Sequence, residues 1–132
     1  MEIVRDWSVY RNFKESEFAC KCDCGIVRVS KELVDKLQRA RDMVRMPFVI
    51  LSGCRCPSHN SNFSKNPNSD HVTDEGDKIC CAADIRVSND RERFLIERAL
   101  YSVGFDRIGH HEGFIHAGVS VRNTGMVSWL YW

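Results

Sequence analysis

Apolar positions recur with a helical period after Ser30: Leu33, Val34, Leu37, Ala40 and Val44 share one face of KELVDKLQRARDMVR. Ser30 is a good N-cap for that helix, and Pro47 closes it. A second helical stripe, Phe94, Leu95, Ala99, Leu100 and Val103, predicts a helix over Asp90 to Val103, capped by the polar residues Ser88 to Asp90 and stopped by Gly104. Elsewhere the period is two. PFVILS reads as a short buried strand, Phe48 to Leu51. CAADIRV alternates so that Ala82, Asp84 and Arg86 share one face, with Ala83, Ile85 and Val87 on the other. DRIGHH, FIHAGV and MVSWLYW read as three further short strands, separated by turns at Glu112–Gly113 and Asn123–Gly125. In the middle one Phe114, His116 and Gly118 face one way.

Residues 57–78 break both patterns. They are rich in Ser, Asn and Asp, carry two prolines, and read as a long irregular loop; structureless loops of that length in a small domain are usually functional. The expected architecture is α+β: a small, mainly antiparallel sheet, two main helices and one long loop, in a single domain spanning residues 1–132.

A length of 132 residues with 43% hydrophobic composition supports one buried core. Nineteen basic against eighteen acidic residues leave a net charge of +1 with no basic block, so nucleic acid is not an expected partner. The N-terminal MEIVRDWSVYRNF has no continuous apolar stretch, which argues against a secretory signal or membrane insertion. Synthesis in the cytoplasm and a monomeric state are expected. Seven cysteines are many for this length, grouped as Cys20, Cys22, Cys24, then Cys54, Cys56, then Cys80, Cys81. Three readings stay open: a structural zinc at Cys20, Cys22 and Cys24 with Cys54 or Cys56, disulfides, or ordinary buried thiols.

The candidate chemistry lies in three residues held in well-defined segments. His71 ends the turn-rich NPNSDH, Asp84 opens the apolar part of AADIRV, and His116 lies inside FIHAGV. Two imidazoles and a carboxylate suit zinc and leave a fourth position for water, the arrangement of a catalytic rather than a closed structural site.

Taken together, FKESEFACKCDCG, KELVDKLQRARD, PFVILSGCRCPSHN, the SxH of SDH, AADI, GFDRIG with FIH, and the terminal WLYW resemble the zinc D-alanyl-D-alanine carboxypeptidases, in order and over nearly the whole chain. That family includes the vancomycin-resistance dipeptidases and phage L-alanyl-D-glutamate endolysins, and the hedgehog signalling domain shares its fold. The resemblance implies a Zn²⁺ peptidase acting on bonds involving D-amino acids in peptidoglycan stem peptides, with His71, Asp84 and His116 as metal ligands. It implies that Arg55 binds substrate or stabilises the tetrahedral intermediate, with Ser69 and Asn60 near the same wall. A phage-type enzyme, acting on the cell wall after release in host lysis or from the virion, is the expected setting.

Two positions depart from the family pattern. Twelve residues separate His71 from Asp84, so DEGDKICC reads as an insertion, and Asp74 and Asp77 become rival ligands; Asp84 is preferred because an apolar strand holds a ligand rigidly. The family's acid positions fall on Gly113 and Gly118, and neither can take a proton. The candidates that remain for proton transfer are Glu112, then His111 and His110. An inactive zinc-holding module of the same fold is therefore a second expectation, and a cysteine-zinc domain for a nucleic acid or protein partner is a third, disfavoured by charge.

Overall fold

A computed structural model of the protein describes residues 2–131; Met1 and Trp132, the latter the end of the expected last strand, lie outside the described residues. After a 3-10 turn at Trp7–Val9 come α1 (Glu15–Phe18), α2 (Lys31–Val44), β1 (Ile50–Ser52), α3 (Pro57–Asn60), β2 (Ala82–Arg86), α4 (Asp90–Ser102), β3 (Arg107–His110), β4 (Phe114–Gly118) and β5 (Val127–Leu130). Both long helices begin at the expected caps. Ser30 Oγ accepts the Leu33 N–H at 3.2 Å, and the Asn89 side chain accepts the Glu92 N–H at 2.9 Å. α2 ends on Arg45, whose φ of 60° is left-handed, a conformation more often given to glycine.

The sheet has the order β1-β2-β4-β3-β5. Every pairing is antiparallel except β3 with β5. That exception is consistent with occupancy: β4 already has β2 and β3 on its two edges, so the chain beyond it can pair only at an outer edge, and it takes that of β3. There it runs parallel to β3. The first strand sits two residues later at its start than the hydrophobic run suggests, because Phe48 is drawn into the core beside Phe13. The turns at Trp7–Val9, α1 and α3 are too short to leave a periodic signal.

Alternation divides the sheet cleanly. Ala83, Ile85, Ile108, Ile115 and Ala117, all fully buried, face a core completed by Leu33, Leu37, Ile96 and Leu100 of the two long helices. The opposite face carries the polar residues, and its strands are in register along one row: Ser52, Asp84, His116, Gly109 and Trp129 follow one another straight across all five strands. Gly109 is required in that row. A Cβ there would lie 2.7 Å from the Trp129 indole, so only glycine lets the ring lie across the strand.

The irregular stretch 57–78 covers this polar face after the single turn of α3. Backbone turns hold part of it, and side chains from distant segments tie down further carbonyls there and at its C-terminal end. Arg122 donates to the carbonyls of Ser69 (2.6 Å), Ile79 (2.9 Å) and Val72 (3.2 Å), and Asn123 to that of Asn68 (2.9 Å). Arg28 donates to the carbonyls of Asp74 and Gly76. No helix among the described residues is long and apolar enough to cross a membrane.

Candidate metal centre and cleft

The register places Asp84 of β2 directly opposite His116 of β4, and the loop lowers His71 onto the pair. Three atoms converge. His71 Nε2 lies 3.2 Å from Asp84 Oδ1 and 3.2 Å from His116 Nδ1, which is itself 3.2 Å from Asp84 Oδ1. A tetrahedral ion with ligands at about 2.0–2.1 Å needs donor separations of roughly 3.3–3.4 Å, so this triangle fits zinc almost without adjustment. All three side chains are buried, at 2–4% exposure.

The nitrogen of each ring that points away from the triangle is already held. His71 Nδ1 donates to the Gly53 carbonyl at 2.7 Å, and His116 Nε2 donates to Asp70 Oδ2 at 3.1 Å. Those bonds fix both tautomers so that lone pairs, not protons, face Asp84. Three electron-rich atoms pointed at one another repel unless a cation lies between them. Burial opposes charge on His116, but the two carboxylates beside it, Asp70 and Asp84, outweigh that and hold its pKa above the usual imidazole value. Asp70, on the ring nitrogen turned away from the triangle, is the outer partner that would raise its affinity for a metal. Burial also works against ionising Asp84, yet the two histidines hold its carboxyl well below the usual range.

Asp70 was not singled out by the sequence, although it stands beside His71. It is 2% exposed and accepts from Arg107 Nε at 2.8 Å and Asn123 Nδ2 at 2.8 Å as well as from His116. Against the cost of burial, the bonds to His116, Arg107 and Asn123 keep its carboxyl well below the ordinary range. Gly118 makes room for it: a Cβ there would meet Asp70 Oδ2 at 3.0 Å and His116 Nε2 at 3.2 Å. The space next to one family acid position is thus filled by a carboxylate from the loop. A periodicity argument could not reveal this, because Asp70 lies in an irregular segment.

The triangle forms the floor of a cleft of about 470 Å³. Arg55 is on its wall, where Nη2 donates to Asp84 Oδ2 at 3.3 Å, Nε to Ser52 Oγ at 3.0 Å and Nη1 to Asn60 Oδ1 at 3.4 Å. Ser69 also lines the cleft. Asn60 does not: it is 2% exposed, stands behind Arg55, and donates to the Asn66 carbonyl at 3.1 Å, so it orients the guanidinium rather than meeting a ligand. The rival acids are carried off by the insertion, where Asp74 Oδ1 accepts from the Gly76 and Lys78 N–H groups in a tight turn and Asp77 is exposed.

Of the proton-transfer candidates, only His111 reaches the cleft, stacked on Phe114 at 4.4 Å. Glu112 is exposed at the β3–β4 turn and does not line the cleft, so it is not brought to the metal triangle as its sequence position had suggested. His110 is on the other face of β3, 3.2 Å from Glu97. β5 and the residue that follows it add Trp129 and Tyr131 to the wall. Burial first, and then the nearby Asp84 charge, push the Tyr131 phenol up to about 12, so it keeps its proton across the neutral range.

No curated protein matches this chain. The family model described as Peptidase M15 matches residues 11–118, a span that contains α1 through β4 and all three corners of the triangle. On that match, covering well over half of its length, the chain belongs to the Peptidase M15 family, a family of metallopeptidases that typically depend on zinc.

Proposed function

We propose that the protein is a zinc-dependent peptidase that hydrolyses peptidoglycan stem-peptide bonds involving D-amino acids, of the phage type and acting on the cell wall after release. The observation that carries this reading is the triangle of His71 Nε2, Asp84 Oδ1 and His116 Nδ1 at 3.2 Å edges, with the outer nitrogen of each histidine already bound. Those three atoms would hold the ion. When bound, zinc supplies Lewis acidity and makes water acidic enough to attack near neutral pH.

The remaining work falls to the walls. Arg55, fixed by Ser52, Asn60 and Asp84, brings positive charge to the place where a carbonyl oxygen would gain negative charge. Tyr131 is a protonated donor on the same wall. His111 Nδ1 accepts from the Gly113 N–H at 3.0 Å, which puts the ring's proton on Nε2. In that tautomer His111 carries an N–H that can donate a hydrogen bond to the bound peptide. Ser69 offers a hydroxyl to the peptide, and Phe63, Phe114 and Trp129 shed water around it.

One observation favours a second reading, a zinc-holding module without turnover. Among the described residues, the acids lining the cleft are Asp70 and Asp84, and both are engaged, one by Arg107 and Asn123 and the other at the triangle. Release of new free amines from purified peptidoglycan by the zinc-loaded protein, absent in His116→Ala, is the expected result. Zinc-loaded protein that releases none would establish the second reading instead.

A further inference from the structure

Away from the cleft, four cysteines from two separate segments meet. Sγ atoms of Cys20, Cys22, Cys24 and Cys56 all lie within 4.8 Å of one another, with Cys20–Cys22 at 3.4 Å, Cys22–Cys24 at 3.1 Å and Cys22–Cys56 at 3.6 Å. Those separations are far beyond a disulfide's sulfur–sulfur bond of about 2.05 Å. They sit close to the roughly 3.8 Å edge of a tetrahedron of thiolates around zinc at about 2.3 Å.

Cys54, the other candidate for the fourth position, is turned away. It is 1% exposed within the core, where its thiol faces the Arg28 carbonyl at 3.9 Å. The backbone around the cluster is organised toward sulfur. The N–H of Cys24 donates to Cys22 Sγ, that of Cys56 to Cys20 Sγ and that of His59 to Cys56 Sγ, each at 3.4 Å. Such bonds stabilise negative sulfur and are the outer-shell support that metal thiolates need. The Cys20 N–H closes the loop onto the Ile26 carbonyl at 2.8 Å, holding three of the four side chains on one side of a tight turn.

We propose that Cys20, Cys22, Cys24 and Cys56 form a second, structural zinc site, a closed tetrathiolate that fastens the N-terminal segment to the strap carrying Arg55. Four protein ligands leave no position for water, so the site takes no part in hydrolysis. Binding displaces the thiol protons to solvent. A sulfur-only tetrahedral set also suits iron, and the test separates the two.

Protein purified under reducing, zinc-replete conditions should contain two zinc ions per chain. The double variant Cys22→Ser/Cys24→Ser should retain one, and His71→Ala/His116→Ala should likewise retain one, showing that the two sites fill independently. Should the cysteine variant fail to fold, the unmodified protein still decides the matter: its cobalt-substituted form should display intense thiolate-to-cobalt charge-transfer absorption, which the nitrogen–oxygen triangle cannot produce. Thiols of the zinc-loaded native protein should resist a disulfide reagent until a chelator is added. A single zinc per chain without that absorption, iron in place of zinc, or a mass deficit from disulfide formation in the reduced preparation would each overturn the proposal.

Discussion

Replacing Asp70 by Asn tests whether the metal triangle depends on the carboxylate behind it. Asp70 Oδ2 is shared by His116 Nε2 at 3.1 Å and Arg107 Nε at 2.8 Å, and the Arg107–Asp70 pair is nearly closed to solvent, with side-chain exposures of 14% and 1%. Asn keeps one acceptor oxygen but loses the charge that raises the basicity of His116. Outer-shell changes of this kind weaken metal binding by about 10–100-fold, or about 1.4–2.7 kcal/mol. Folding of the metal-free protein should suffer by about 1–3 kcal/mol, because Arg107 is left facing a neutral amide. Asp70→Ala, which removes the acceptor from His116, Arg107 and Asn123 alike, should cost about 3–5 kcal/mol. Zinc affinity is read by competition with a chromophoric chelator, and stability by urea unfolding of the chelator-treated protein. The sign with pH follows from a depressed carboxyl: its stabilisation is complete above the unfolded value near 3.9 and is lost as pH falls toward the lower folded one. The stability gap between wild type and Asp70→Asn should therefore narrow below about pH 4. An Asp70→Asn protein that binds zinc within twofold of wild type would refute the argument that this carboxylate tunes His116.

Gly118→Ala should weaken zinc binding although alanine is small, because its Cβ would meet Asp70 Oδ2 at 3.0 Å and His116 Nε2 at 3.2 Å; unchanged metal affinity would mean that the loop yields freely. Arg55→Lys cannot reproduce the fork onto Ser52, Asn60 and Asp84, so kcat/KM on stem peptides should fall about 10²–10³-fold with zinc content unchanged. His111→Ala, which removes a donor from the cleft, should lower kcat by about 10²–10³-fold while Glu112→Gln leaves it near wild type, and the reverse ranking would give the larger role to the turn. Arg45→Gly relieves a left-handed residue at the end of α2 and should raise Tm by about 3–6 °C in a calorimetric scan, for a gain of about 1 kcal/mol.

What the chain disclosed about itself depended on periodicity. The two helices, the strand around Asp84 and the strand around His116 were legible because their apolar positions repeat at 3.6 or 2.0 residues and their caps are strong. Alternation even put Asp84 and His116 on polar faces, though not opposite one another. Pairing partners are set by which edges remain free, so the parallel position of β5 beside β3, and with it the arrival of Trp129 and Tyr131 at the cleft, had no local signal. Asp70 was hidden for a related reason. Its loop is fixed by Arg122, Arg28 and Asn123 donating to carbonyls from far along the chain, and such contacts follow no period. Glu112 was favoured by nearness in sequence to His116, but at a hairpin turn the turn's geometry decides, and here it leaves Glu112 exposed while its carbonyl accepts from Arg93.

The straight row across the sheet has a consequence for how the molecule is assembled. Asp84 and His116 face each other only in one alignment of β2 against β4; a slip of a single residue would bring Ile115 or Ala117 opposite Asp84 and turn the imidazole toward the helices. If the triangle holds zinc as proposed, cation affinity becomes a proofreading signal for strand alignment. A misaligned chain has no converging nitrogens to offer, while the correctly aligned one is drawn out of the folding equilibrium by the ion it captures. On this view the metal selects among the ways the sheet can close before it assists any reaction, and zinc present during refolding should raise the yield of correctly paired molecules above that obtained when zinc is added afterwards.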